Sequence, residues 1–355
     1  MNAGERETKA PPYIDGAELA RLVPVARAVE VLEEALRGGL DPEDTPRRPV
    51  MEVPAGQVLL MPAAWRDHAG VKIATVAPGN PALGLPRIQG SYLLLDGRTL
   101  APLALLDGIA LTSLRTPAVS ALAVRHLARE RAGSLLVFGT GPQARGHVTA
   151  LRAVRPVERV TVVGRDAART AAFAARCAAE GFESRALAAD DTAAVRAAVA
   201  EAELIACCTT ARTPLFPGEL VRDDATVVAV GSHEPGAREL DEVLIARSTV
   251  FVEARTAALA EAGDLITPLR SGTITDGHLT GNMAELVIGG GVPATGPRVF
   301  KSVGMAWQDL VVAAAAYHAW AAPHPEGVDG GRRARSTSMS RDPVQPRERR
   351  EKDTG

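Results

Sequence analysis

From residue 135 onward, short apolar runs alternate with longer stretches whose apolar positions recur every three or four residues. The first kind suits strands buried on both faces and the second suits amphipathic helices. Their alternation predicts a parallel, doubly wound α/β sheet. The predicted strands are Leu135–Phe138, Val160–Val163, a weak one at Glu183–Leu187, Leu204–Cys208, Thr226–Val230 and Thr249–Glu253. Helices at Arg145–Arg152, Asp166–Glu180 and Asp191–Ala200 lie between them. Ahead of this region the pattern changes. Ile14–Arg37 reads as an amphipathic helix stopped by Gly38-Gly39. Runs at Val50–Val53, Val58–Met61, Val71–Ala77, Gln89–Leu95 and Pro102–Leu106 are parted by turn residues and predict hairpins. Ala110–Arg129 is a helix entering the second region, and Ser302–Trp320 is a long helical stretch able to pack back on the first. From residue 323 to 355 nothing is left to bury, so a disordered tail is expected, with residues 1–12 as a flexible start.

The strand at Leu135–Phe138 breaks into Gly139-Thr140-Gly141-Pro142-Gln143-Ala144 before its helix. Gly139 permits a tight turn, and Gly141 lets backbone approach a pyrophosphate. The helix N-terminus then offers free N–H groups to the phosphates. Ala144 stands where a third glycine often sits, a replacement this dinucleotide-binding pattern allows. The next strand ends in Gly164-Arg165, with Asp166 one place late. An arginine there suits a 2′-phosphate and an acidic residue a 2′-hydroxyl, so NADP(H) is favoured and NAD(H) remains open.

Composition narrows the class. A chain of 355 residues has room for two domains, and a net charge of −2 gives no electrostatic case for nucleic acid or an anionic membrane. Three cysteines, Cys177, Cys207 and Cys208, make neither a disulfide framework nor a metal site. With no apolar segment at the N-terminus and none long enough to span a bilayer, a soluble cytoplasmic protein is expected. Of the 40 basic residues only Lys9, Lys72, Lys301 and Lys352 are lysine. A lysine inside an apolar run of so arginine-rich a chain hints at chemistry.

Ligands of doubly wound sheets sit at the carboxyl ends of strands. Thr209 follows one predicted strand, and Gly231-Ser232-His233-Glu234 follows another. His233 is a candidate acid or base there. Lys72, Arg48 and Arg115 stand in apolar or turn surroundings, and arginine forks grip carboxylates while a desolvated lysine can pass a proton. The residues by themselves lead to a nucleotide-dependent oxidoreductase with a separate substrate domain.

Over roughly Ile14 to Trp320 the chain resembles the ornithine cyclodeaminase/μ-crystallin family. The resemblance rests on Pro46-Arg47-Arg48, Gly70-Val71-Lys72, Pro78-Gly79-Asn80 with Gly84-Leu85-Pro86, Leu111 to Thr116, the glycine loop, Val230 to Gly236 and Phe300 to Gly304. It implies a homodimer built through an N-terminal α+β substrate and dimerisation domain, residues 13–118 completed by 303–322, beside a Rossmann-type domain at 119–302. It implies that Arg48 and Arg115 hold a substrate carboxylate, that Lys72 lies beside the reacting carbon, and that the nicotinamide sits near Thr209 and Gly231 to His233. Arg165 matches an arginine that holds the NADPH 2′-phosphate in μ-crystallin-like members. His233 stands where cyclodeaminases carry an aspartate for the substrate amine. The expected reaction is therefore NAD(P)H-dependent reduction of a cyclic ketimine such as Δ1-pyrroline-2-carboxylate, or a related amino-acid dehydrogenation, with Lys72 or His233 giving the proton. Ornithine or lysine cyclodeamination, with Glu234 in place of the missing carboxylate, is the alternative, and an NADPH-dependent ligand binder is a second.

Overall fold

The computed structural model describes residues 10–289 and 296–323, so the expected tail lies outside the described residues except at residue 323. The chain opens with strand β1 (Tyr13–Ile14) and helices α1 (Gly16–Leu22) and α2 (Val25–Arg37). The single helix expected over Ile14–Arg37 is thus two. Pro24 lacks the N–H that would continue α1 and takes the N-cap of α2 instead, at an extended backbone angle. Five strands follow: β2 (Val50–Val53), β3 (Gly56–Trp65), β4 (His68–Val76), β5 (Ile88–Asp96) and β6 (Pro102–Asp107). They form a sheet in the order β1-β6-β5-β4-β3-β2, antiparallel except where β1 meets β6. Inward positions are apolar, with Met61, Tyr92, Leu94 and Leu106 buried, and the period of two places Lys72 on that same face between Met61 and Tyr92.

Helix α3 (Gly108–Leu127) starts on the side chain of Asp107, which accepts from the N–H groups of Ile109 and Ala110, and leads into the second sheet. There β7 (Ser134–Phe138), α4 (Pro142–Arg152), β8 (Arg159–Gly164), α5 (Ala167–Ala179), β9 (Glu183–Ala188), α6 (Thr192–Glu201), β10 (Leu204–Cys207) and β11 (Thr226–Ala229) alternate as expected. The region continues through α7 (Glu242–Arg247), β12 (Thr249–Val252), α8 (Arg255–Glu261), α9 (Gly263–Arg270), β13 (Leu279–Gly281), α10 (Met283–Gly289), β14 (Arg298–Lys301) and α11 (Ala306–Ala321). The sheet is parallel throughout, in the order β13-β12-β14-β11-β10-β7-β8-β9. This is a Rossmann-type doubly wound sheet joined to an N-terminal α+β region.

Strand β14 was not expected from the pattern. It slots between β11 and β12 late in the chain and brings Lys301 into the core. Helix α11 begins at Ala306, later than the expected Ser302, because the preceding backbone is tied down by Glu253. It packs on β3, β4, α2 and α3, completing the first region as expected. One apolar cluster runs from the inner face of the first sheet through α3 and α11 to one face of the second sheet; another fills that sheet's other face. Among the described residues no helix is long and apolar enough to cross a membrane.

Candidate active site

The glycine loop turns as its composition requires. Gly139 has φ +110°, and a Cβ there would lie 2.5 Å from the carbonyl oxygen of Cys208. Gly141 is the N-cap of α4, where no side chain caps the helix and nothing lies within 4 Å of a would-be Cβ. With Pro142 in the first turn, this leaves an open, dipole-positive helix end lined by Thr140 and Gln143, while Ala144 is fully buried against the sheet. A pyrophosphate fits such a cradle. At the end of β8, Arg165 is exposed and makes no hydrogen bond or ion pair among the described residues. Asp166 is engaged: its carboxylate accepts from the Arg169 N–H at 3.0 Å and caps α5.

The loops after β10 and β11 are held together by a residue the sequence did not flag. Glu239, fully buried, accepts from the N–H and hydroxyl of Thr209, each at 2.7 Å, and from the Gly231 N–H at 2.8 Å. Burial pushes its carboxyl pKa up, opposed by Lys301. Lys301 itself donates to the Ser232 carbonyl at 2.7 Å and lies 2.9 Å from Asp264, which in turn accepts from the N–H groups of Glu239 and Leu240. Thr209, Gly231 and Ser232 are therefore fixed by buried charge.

A second charged centre joins β4, α3 and α11. Lys72 on β4 donates to both oxygens of Asp309 on α11, at 2.8 and 2.7 Å, and to the Thr112 hydroxyl at 3.1 Å. Arg115 on α3 donates through Nε to Asp309 at 3.2 Å and through Nη1 to Gln308 at 2.9 Å. All three charged groups are buried. Burial lowers the Lys72 pKa to about 8, with Arg115 and Arg48 pushing the same way against the pull of Asp309. Gln308 donates to Glu253 at 2.6 Å, and Glu253 accepts from the N–H groups of Val303 and Gly304. The carbonyl of Val303 accepts from Arg48 Nη2 at 2.9 Å. A continuous hydrogen-bonded chain thus links Arg48, Glu253, Arg115, Asp309 and Lys72. Gly304, at φ +81°, presses on the Arg115 guanidinium, where a Cβ would come within 3.0 Å of Nη1.

His233 is exposed, and its pKa is lowered by desolvation and then by the Arg48 guanidinium. Glu234 does not turn into the site; it is exposed and pairs with Arg212 at 2.9 Å. The cyclodeaminase alternative assigned it a carboxylate role there, and the ion pair draws it elsewhere. His147 is structural. Fully buried, it donates from Nδ1 to the Gln143 carbonyl at 2.8 Å and accepts at Nε2 from Ser120 at 2.9 Å, and burial lowers its pKa to about 4. Asp309, Gln308 and Glu253 escaped the sequence reading. A polar pair, Gln308-Asp309, inside an otherwise apolar helix was the available signal.

Over residues 17–323 the chain matches the model of the ornithine cyclodeaminase/mu-crystallin family. It is 36% identical over 313 residues to a Delta(1)-pyrroline-2-carboxylate/Delta(1)-piperideine-2-carboxylate reductase of Azospirillum brasilense, covering 88% of this chain and 96% of that protein. The Delta(1)-pyrroline-2-carboxylate reductase of Thermococcus litoralis, solved with NADH and L-proline, superposes with a TM-score of 0.81 at 31% identity, covering 87% of this chain and 97% of that one. An archaeal alanine dehydrogenase dimer with bound NAD gives a TM-score of 0.80 at 26% identity, with 87% and 95% covered.

Proposed function

We propose that this chain, which belongs to the ornithine cyclodeaminase/mu-crystallin family and is a nicotinamide-dependent oxidoreductase acting on C=N bonds, reduces cyclic α-imino acids of the Δ1-pyrroline-2-carboxylate type, with NADPH as the preferred donor. The observation that carries this reading is the buried Lys72 with a pKa of about 8, placed beside two arginines suited to a carboxylate. When bound, the nicotinamide supplies hydride to the imine carbon. Arg48 and Arg115 hold the substrate carboxylate and so fix which ring carbon faces the donor. Lys72 gives its proton to the ring nitrogen and is reprotonated from solvent; the secondary amine is the product. Asp309 keeps the protonated lysine in place, since both of its carboxylate oxygens accept from the ammonium. His233, its pKa already below the ordinary value, is largely neutral at pH 7 and a poor proton donor. Its role is to close the nicotinamide end of the site together with Thr209, Gly231 and Ser232.

The cofactor preference rests on Arg165, which is free to meet a 2′-phosphate, and on Asp166, whose carboxylate is committed to the α5 cap. Residues 13–118 with 303–322 act as the substrate-binding part and 119–302 as the nucleotide-binding part. The outer face of the first sheet carries Met51, Leu60, Ile73 and Leu105, all exposed, and serves as the homodimer interface, in keeping with the dimeric alanine dehydrogenase. We place the protein in the cytoplasm, where its three free cysteines are at home.

The test follows absorbance at 340 nm while Δ1-pyrroline-2-carboxylate or its six-membered homologue is added with NADPH or NADH. A parallel incubation of L-ornithine with NAD is assayed for proline and ammonia. Imine-dependent loss of NADPH, without proline from ornithine, is the expected result. Proline and ammonia with no net change in the nucleotide would overturn the reductase reading. Silence in both assays, with NADPH still bound, would favour a non-catalytic binder.

A further inference from the structure

Arg48 is already occupied. Its Nε donates to Glu261 Oε1 at 3.2 Å, its Nη2 donates to Glu261 Oε2, and Nη2 also donates to the Val303 carbonyl. A guanidinium has five N–H groups, so these bonds leave only those of Nη1. A two-point grip on a substrate carboxylate therefore needs one present partner to leave. Val303 is backbone and is pinned by its own N–H on Glu253, at 2.8 Å. Glu261 is a side chain at the last residue of α8 and a quarter exposed, so of the two partners it is the one that can leave without moving backbone. Two carboxylates on one guanidinium also repel each other.

The pairing ties the first region to the Rossmann-type region. Arg48 comes from the loop before β2 and Glu261 from α8, beyond the Rossmann strand β12. The same loop is fastened to the other end of α8 by Glu43, which accepts from the N–H groups of Arg255 and Thr256 at 2.7 and 3.1 Å and from the Thr256 hydroxyl at 2.8 Å. Withdrawal of Glu261 therefore does not require the loop to detach.

We propose that Glu261 is an internal stand-in for the substrate carboxylate: it fills the Arg48 fork until a carboxylate-bearing substrate takes its place. This rests on the assignment of Arg48 to the substrate carboxylate. Glu261 is then a specificity-determining residue. A neutral imine has nothing with which to replace it, whereas an α-imino acid exchanges one carboxylate for another at little net cost. Retaining an anion on Arg48 also keeps the empty site from holding an unpaired, half-buried cation.

The experiment measures calorimetric binding of pyrrole-2-carboxylate, a planar ring carboxylate, to the protein saturated with NADP+. If Glu261 occupies the fork, Glu261→Gln and Glu261→Ala tighten this binding by about tenfold, because the competent fraction of Arg48 rises. In an Arg48→Ala background the same changes have no effect. Weaker binding in both Glu261 variants would mean that Glu261 orients Arg48 and does not compete for it, and unchanged binding would mean that it does neither; each overturns the proposal. Thermal melting of each variant confirms that the fold is intact. The readout does not depend on turnover. Absence of imine reduction with the Glu261 effect present would sink the reaction and leave the exchange standing, and the reverse outcome would sink the exchange alone.

Discussion

The glycine loop is made of backbone, whereas the charged centre around Lys72 is made of side chains. At the glycine loop the chain offers an uncapped helix end and a turn that excludes a Cβ, and apart from the Cys208 carbonyl every contributor lies within Gly139 to Ala144. At the charged centre, residues 72, 115 and 309 from three elements and residues 48 and 253 from two loops converge onto one hydrogen-bonded chain. The first design binds through dipoles and shape and changes little when one side chain is removed. The second holds net charge at low solvent exposure, where each group sets the pKa of its neighbours. Substitutions on the two sides should therefore fail in different ways.

Lys72→Ala separates them most sharply. Loss of a positioned proton donor is expected to lower kcat by about 10²- to 10⁴-fold, with nucleotide affinity unchanged. A kcat within a few-fold of wild type would move the proton source elsewhere. Arg115→Ala comes next. Loss of a charge-assisted contact worth about 1.5–3 kcal/mol should raise the KM for imino acids by roughly 10- to 100-fold, measured by steady-state kinetics. On the nucleotide side, Gly139→Ala brings a Cβ into the Cys208 carbonyl at a left-handed φ. The strain, of order 1–3 kcal/mol, should weaken NADPH and NADH alike and lower the melting temperature. Arg165→Ala has the smallest effect, about tenfold weaker NADPH with NADH unchanged, from loss of one exposed charge contact. An equal loss for both nucleotides would remove the 2′-phosphate role and blur the contrast between the two sides.

The same contrast explains what could be read from the chain. The Rossmann strands and the loop announce themselves because their signal is local: an apolar run, a glycine turn and a helix in a row. Strand β14 did not, since only Val299 and Phe300 are apolar in its four residues and its place in the sheet is set by strands far away in sequence. The break at Pro24 is masked by the apolar period, which continues across it. Of the site, Lys72 was visible through its rarity in an arginine-rich chain, and Lys301, the other lysine in an apolar setting, is buried on Asp264. Asp309 lies 237 residues from Lys72, and no local pattern couples them. Glu261 and Glu239 sit among ordinary helical and loop residues, and only the fold gives them partners.

Lys72 as the proton donor, tuned by its neighbours, is the centre of the proposed reaction. Its charged form is present below a pKa of about 8, so kcat for imine reduction should fall as pH rises through that value. Arg115 lowers this pKa, so its removal must raise it. The most direct measurement is the pH profile of kcat for wild type and Arg115→Ala with the same imino acid, so that any titration of the substrate cancels. An alkaline limb near pH 8 is expected in the wild type, moving upward in the variant. A limb that stays in place, or a profile governed only by a group titrating near pH 6, would contradict it.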